Sequence, residues 1–401
     1  MKRLLSILFL ALYFCASAQS QLPFRYDSLY KTIYAKEFCK LFINNPDLLL
    51  VDVRSAGEYS DTSRYASLNQ GHLKGAINLE IEAIRNNMDT IRHYKDKTIV
   101  FYCSHSQRSR GISRLLSENG FTKFYNLNGG MSVLNQLEPK DFPCKENWIE
   151  TTLPFKNLSF AEAAALLKQN KKYIVIDIRP SSQFNSKDSI AENNIGRIKG
   201  AINIPYAEFK HRMSELTKYK QQPILVYSSS GDGDAARAAT ELHNSGFTSV
   251  HQLLGGIHSL IASQKDISFI ENSTPFILVD APRTLALLKE TKDLVIYDTR
   301  VSEQYNNALT GRDSYRNLGR MKNAIHVEEA AFKAQSLPVN KNASILIYGN
   351  EESIHFASFL SSKGYKQVYL LPGLYDFVWS SFNVESCKGA REFLMDHEGL
   401  Y

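Results

Sequence analysis

Leu48-Leu49-Leu50-Val51-Asp52-Val53-Arg54 is a short apolar run that ends in an acid-x-arginine triplet. The pattern returns as Tyr173-Ile174-Val175-Ile176-Asp177-Ile178-Arg179 and again as Leu294-Val295-Ile296-Tyr297-Asp298-Thr299-Arg300. A second apolar run follows each copy: Ile99-Val100-Phe101-Tyr102, Ile224-Leu225-Val226-Tyr227 and Ile345-Leu346-Ile347-Tyr348. The residues after those tyrosines are Cys103, Ser228 and Gly349, and each lies 51 positions beyond its acid. Two independent landmarks held at one separation three times over identify an internal triplication.

Other landmarks keep the same order. Between the apolar runs lie Gly71-His72-Leu73-Lys74-Gly75-Ala76-Ile77-Asn78, Gly196-Arg197-Ile198-Lys199-Gly200-Ala201-Ile202-Asn203 and Gly319-Arg320-Met321-Lys322-Asn323-Ala324-Ile325-His326. Each unit closes with a helical pattern, a Gly-aromatic step (Gly120-Phe121, Gly246-Phe247, Gly364-Tyr365) and a turn at Gly129-Gly130, Gly255-Gly256 or Pro372-Gly373. Continuous apolar runs without alternation predict strands covered on both faces. Their alternation with helical patterns predicts an α/β fold, each unit a parallel sheet flanked by helices. The expected units are residues 22–146, 155–267 and 275–384, with linkers near Pro143–Lys156 and Ser268–Pro275 and a polar C-terminal tail, 385–401, holding one short helix.

The 401-residue chain is 43% hydrophobic and 22% charged, a globular composition. Its formal net charge of +6 is spread without a dense Lys/Arg run, so no nucleic-acid partner is expected. Residues 1–18 read as a targeting signal: Lys2 and Arg3, an apolar run from Leu4 to Phe14, then Ala16-Ser17-Ala18 as a cleavage site. Cleavage after Ala18 predicts a secreted or periplasmic protein, and no stretch is long and apolar enough to predict a membrane span. It would remove Cys15 and leave Cys39, Cys103, Cys144 and Cys387, with no CxxC pair and no zinc-type spacing. No metal and no cofactor are expected. Cys39, in the apolar helical stretch from Ala35 to Ile43, reads as core.

In an open α/β sheet, ligands gather beyond the carboxyl ends of strands, at helix N-termini. In the first unit that place is held by Cys103-Ser104-His105-Ser106-Gln107-Arg108-Ser109, ahead of the helical pattern Arg110–Asn119. Such a loop can turn its backbone N–H groups towards one point, and the helix dipole adds partial positive charge there. A cysteine at that point ionises more easily, because the thiolate is the stabilised form. Arg108 offers a cation that can fork onto the oxygens of an anionic substrate, and Ser106 and Ser109 offer hydroxyls. His105 reads as an exposed loop residue and His72 as a packing or hydrogen-bonding one.

The Asp-Val-Arg triplet, the Gly-His-Leu-Lys-Gly-Ala-Ile-Asn segment, the Cys-x-x-Ser-x-Arg-Ser loop and the closing Gly-Gly turn together resemble the rhodanese family. The resemblance implies three tandem rhodanese-like domains and, at Cys103, a nucleophile that accepts a sulfane sulfur from a small anionic donor and hands it to a thiol or cyanide acceptor. It implies donor binding by the Ser104–Ser109 loop, Arg108 included, and a structural role for Asp52 and Arg54, which brace the loop and sheet edge. Four residues separate Cys103 from Arg108, a tighter ring than the Cys-x5-Arg of related phosphatases. The loop departs from the commonest family pattern at His105 and Ser106, where many relatives have Ser and Gly. Ser106 suits that place only if no positive φ is needed.

The other units differ at the decisive atom. Ser228 has no ionisable sulfur, and its loop to Asp234 carries two acids and no arginine; Gly349-Asn350-Glu351-Glu352-Ser353 has no nucleophile and two acids. Both are expected to be catalytically inactive, which leaves a protein partner open to them. A non-catalytic binding or scaffold role and a thiol-redox role for Cys103 are the competing readings. Cys144 and Cys387 could pair with each other or resolve a persulfide on Cys103.

Overall fold

Each quoted apolar run is a strand, because a segment buried on both faces has no polar side to alternate. The computed structural model describes residues 29–397 apart from positions 46, 170–172, 232, 334 and 336, so the expected targeting signal lies outside the described residues. In the first repeat, strands Leu49–Asp52 and Ile99–Tyr102 pair in parallel, with Asp52 opposite Tyr102. Phe124–Leu127 and then Lys31–Ile33 add on one side, and Ile77–Asn78 on the other. The second and third repeats rebuild the same five-stranded order around Ile224–Tyr227 and Ser344–Tyr348.

The sequence reading left out the two- and three-residue strands at the sheet edges, which are too short to carry a period. It also missed three antiparallel ribbons: His72–Leu73 with Ile149–Glu150, Arg197–Ile198 with Ile270–Glu271, and Arg320–Met321 with Leu394–Met395. Residues after Val384, expected as a polar tail, thus return to the third repeat, and Cys387, Ala390 and Leu394 join its core.

The acid-x-arginine triplet is a buried brace. Arg54 forks onto Asp52 at 2.7–3.0 Å and donates to the Gly71 carbonyl at 2.7 Å, with both side chains fully buried. Arg179 with Asp177 and Gly196, and Arg300 with Asp298 and Gly319, repeat it. The adjacent tyrosine hydroxyls of Tyr102, Tyr227 and Tyr348 accept from the backbone N–H of Leu73, Ile198 and Met321. Removing one member would leave an uncompensated buried charge, which costs about 3–5 kcal/mol.

The repeats also pack on one another. One apolar cluster runs without a break from Leu158, Ile257 and Phe269 of the second repeat to Phe356 and Val368 of the third. The first repeat meets the second through Gln136, whose amide donates to the Leu254 carbonyl and accepts from the Phe160 N–H, both at 3.0 Å. Cys39 is not merely a core residue: it forms a disulfide with Cys144, tying the first helix, Ala35–Asn44, to the segment beyond the first sheet. Cys144 therefore does not pair with Cys387, which is buried with its thiol pushed up to about 12 by desolvation. The residues that bring the partners together, Phe38, Phe42 and Trp148, stack edge to face.

Candidate active site

Cys103 follows the central strand Ile99–Tyr102, and the helix Gln107–Glu118 starts four residues later. Its carbonyl accepts from the Met131 N–H at 2.9 Å and that of Ser104 from Ser132 at 3.0 Å, so the Gly129-Gly130 turn pins the loop from behind. A Cβ on Gly130 would collide with the Cys103 and Ser104 carbonyls, which explains glycine there. No backbone N–H from Ser104 to Ser109 donates to an acceptor among the described residues. These unpaired amides stand at the N-terminal end of the helix, where its dipole is positive.

Cys103 has no exposed surface; it helps form the floor of a cavity of about 480 Å³. Ser104, His105, Gln107 and Arg108 line that cavity with it. The Ser109 hydroxyl lies 3.7 Å from Sγ, donates to Asn126 Oδ1 at 2.7 Å and is fully buried, so it supports the sulfur from below.

Two sequence expectations need correction. Ser106 does adopt a positive φ, +72°, and its side chain faces inward. The hydroxyl accepts from the Gly129 N–H at 2.5 Å and donates to Asn128 Oδ1 at 3.2 Å, so it is occupied by the fold, not by a substrate. These bonds offset the left-handed conformation, which costs a non-glycine residue about 1–2 kcal/mol. Nor is Arg108 a free cation. Its guanidinium forks onto Glu58 with two bonds of 2.6 Å and donates to Ser104 Oγ at 2.9 Å.

Glu58 was missed by the sequence reading. It is the third residue of the short helix Ala56–Tyr59 and caps it reciprocally with Ser55. Burial pushes its carboxyl up, but the Arg108 hydrogen bonds and charge outweigh this and hold it below the ordinary glutamate value. A signal was available: Glu58, Gln183 and Gln304 each stand six positions after the triplet acid. Each reaches the residue just after the decisive position: Glu58 by way of Arg108 to Ser104, Gln183 to Ser229 at 2.7 Å and Gln304 to Asn350 at 3.1 Å. His105 meets Ser132 Oγ at 2.9 Å, and crowding by the loop, then the Arg108 charge, lower its pKa.

The cavity is not the first repeat's alone. Helix Leu374–Asn383 of the third repeat supplies Tyr375, Asp376 and Trp379, the last with its ring 6.2 Å from that of His105. The Phe382 carbonyl locks this helix in place, accepting from Asn128 Nδ2 at 2.6 Å and Arg110 Nη2 at 3.0 Å. The equivalent places in the other repeats also line cavities, of about 560 Å³ at Ser228 and about 570 Å³ at Gly349, but present no sulfur to them. Ser228 donates to the Ser230 carbonyl at 2.7 Å, and a Cβ on Gly349 would run into the Thr299 hydroxyl.

A cysteine at a strand end, ahead of a helix N-terminus in a five-stranded parallel sheet, defines a cysteine-loop α/β domain. The rhodanese-like domain model matches residues 35–136, 159–263 and 281–376. The chain belongs to the rhodanese family. It is 32% identical over 93 residues to tRNA uridine(34) hydroxylase of Yersinia pestis (strain Pestoides F), a match covering 22% of this chain and 24% of that protein. The chain thus spans about a quarter of the length of the curated relatives it matches. Among solved structures, wild-type EanB is 15% identical with a TM-score of 0.29, covering 88% of this chain and 97% of that one. Thiosulfate sulfurtransferase from Pseudomonas aeruginosa is 17% identical with a TM-score of 0.24, covering 86% and 67%. No described helix is long and apolar enough to cross a membrane.

Proposed function

We propose that the protein is an exported sulfurtransferase in which Cys103 carries sulfane sulfur from a thiosulfate-like or persulfide donor to a thiol-type acceptor. The observation that carries this reading is the placement of Cys103 on the cavity floor, in a loop whose backbone amides are unpaired. With thiosulfate, the Cys103 thiolate attacks the outer sulfur, the S–S bond of the donor breaks, and its electron pair leaves with sulfite. The persulfide's negative terminal sulfur then occupies the amide-lined space. An acceptor thiolate attacks that terminal sulfur, and the electron pair of the broken bond returns to Cys103 Sγ. Because Cys103 shows no surface, the roof must yield slightly for either partner to reach Sγ. A donor oxygen gains Arg108 only in competition with Glu58.

Export is supported by the Cys39–Cys144 disulfide, since such bonds persist in oxidising compartments. Repeats two and three act as scaffold, a role supported by their shared core and by Ser228 and Gly349 standing where the first repeat has its cysteine. The test is intact-mass measurement after incubation with thiosulfate. One added sulfur atom is expected on the protein and none on a Cys103→Ser variant; no gain while the thiol is free would sink the proposal. If Cys103→Ser leaves the cellular role intact and deleting repeats two and three abolishes it, a binding role takes its place.

A further inference from the structure

The roof over Cys103 differs in charge from its floor. Below are the unpaired loop amides. At the side, the Arg108 charge is cancelled by the two-bonded fork onto Glu58. His105, its pKa held below the ordinary imidazole value by crowding and by Arg108, is mainly neutral at neutral pH. That leaves Asp376 of the third repeat as the uncompensated charge on the described cavity wall. Its carboxylate has no hydrogen bond or ion pair among the described residues, although crowding by the protein disfavours its ionised form. Tyr375 and Trp379 flank it in the same cavity wall, and aromatic faces attract organic cations.

We propose that Asp376, between Tyr375 and Trp379, selects the sulfur acceptor, favouring a thiol that also carries a positive charge, such as an aminothiol, over one that carries a carboxylate. The inference rests on the sulfur-transfer reading of Cys103. In the reaction, the acceptor's thiol proton passes to solvent, and its thiolate attacks the terminal persulfide sulfur. The bond from that sulfur to Cys103 Sγ breaks and its electrons return to Sγ, so one sulfur moves with no net oxidation. The ammonium of the acceptor pairs with Asp376 and contributes the charge that the wall lacks. A carboxylate in the same place meets a like charge, which is repulsive at such distances even when partly screened. The third repeat, without a nucleophile of its own, is thereby a specificity element for the first.

The test loads the full-length protein with one sulfur, verified by intact mass, and follows its discharge by cysteamine, mercaptoethanol and mercaptopropionate. The expected order of kcat/KM is cysteamine, then mercaptoethanol, then mercaptopropionate, after correction for each thiol's ionised fraction. The cysteamine-to-mercaptopropionate ratio is expected to fall on the order of tenfold in Asp376→Asn and to invert in Asp376→Lys. An unchanged ratio in both variants, or a wild-type preference for mercaptopropionate, overturns the assignment while leaving Cys103 as carrier. Failure of the wild type to load sulfur at all is a different outcome, and defeats the sulfur-transfer reading on which the assignment stands.

Discussion

Cys103 and Gly349 occupy the same point of equivalent sheets, 51 residues after the buried acid of the same brace, and each lines a cavity, yet only one leaves room for a side chain there. Around Cys103 the loop leaves its amides unpaired and a cavity opens above the strand end. At Gly349, Thr299 fills the space that a side chain would need. The position of Thr299 is held by Val53 in the first repeat, where it belongs to the apolar cluster that includes Cys103. The difference teaches that a side chain's own place can close while a cavity of about 570 Å³ remains beside it: the Thr299 hydroxyl occupies the gap, so the third site is not revived at one position.

The largest expected effect tests the intact member of the pair. Cys103→Ser should reduce sulfur loading and turnover to background, measured by mass and by sulfite release. Next comes the disulfide, a tie that repeat one has and that no described cysteine pair supplies to repeat three. It closes a separation of 105 residues, so Cys39→Ser should lower unfolding stability by about 2–4 kcal/mol, read by denaturant titration under non-reducing conditions. Third, Gly349→Cys should load no sulfur in a Cys103→Ser background and should destabilise the protein by about 1–3 kcal/mol through overpacking against Thr299. A sulfur gain there would break the comparison.

Smaller effects sharpen it. Glu58→Gln should free the Arg108 charge and lower the KM for thiosulfate roughly threefold to tenfold, since charge-assisted bonds to the donor no longer compete with a carboxylate. The Glu58 pKa is lowered by folding, so its pairing stabilises the protein above the unfolded glutamate value. That contribution fades as pH falls through the lower, folded value, and Glu58→Gln should flatten this part of the acid-unfolding curve. Ser106→Gly should stay within about 1 kcal/mol of the parent in thermal unfolding. Relief of the +72° φ is opposed by loss of the buried hydroxyl's bonds to Gly129 and Asn128.

The architecture was legible because burial on both faces writes itself into sequence as unbroken apolar runs, and because three copies fix the spacing of Asp52, Asp177 and Asp298 from their strand ends. The cysteine loop was legible by its place after Tyr102. What escaped depended on partners distant in the chain. Glu58 reaches Arg108 across 50 positions, and Cys39 reaches Cys144 across 105. The ribbon strands, two residues each, carry no pattern and exist only because a partner strand is presented to them. The third repeat's contribution to the first site could not be read from any loop motif, because Tyr375, Asp376 and Trp379 belong to a helix that is ordinary within its own unit.

The Phe382 carbonyl, held by Asn128 and Arg110, has a practical consequence for anyone trimming the chain. A fragment ending after the first repeat would keep its cysteine and its brace but would uncover Asn128 and Arg110 and remove the third-repeat wall of the Cys103 cavity. Such a minimal piece would be a poor stand-in for the whole: more accessible to indiscriminate oxidants, and stripped of the wall that decides which visitor it meets.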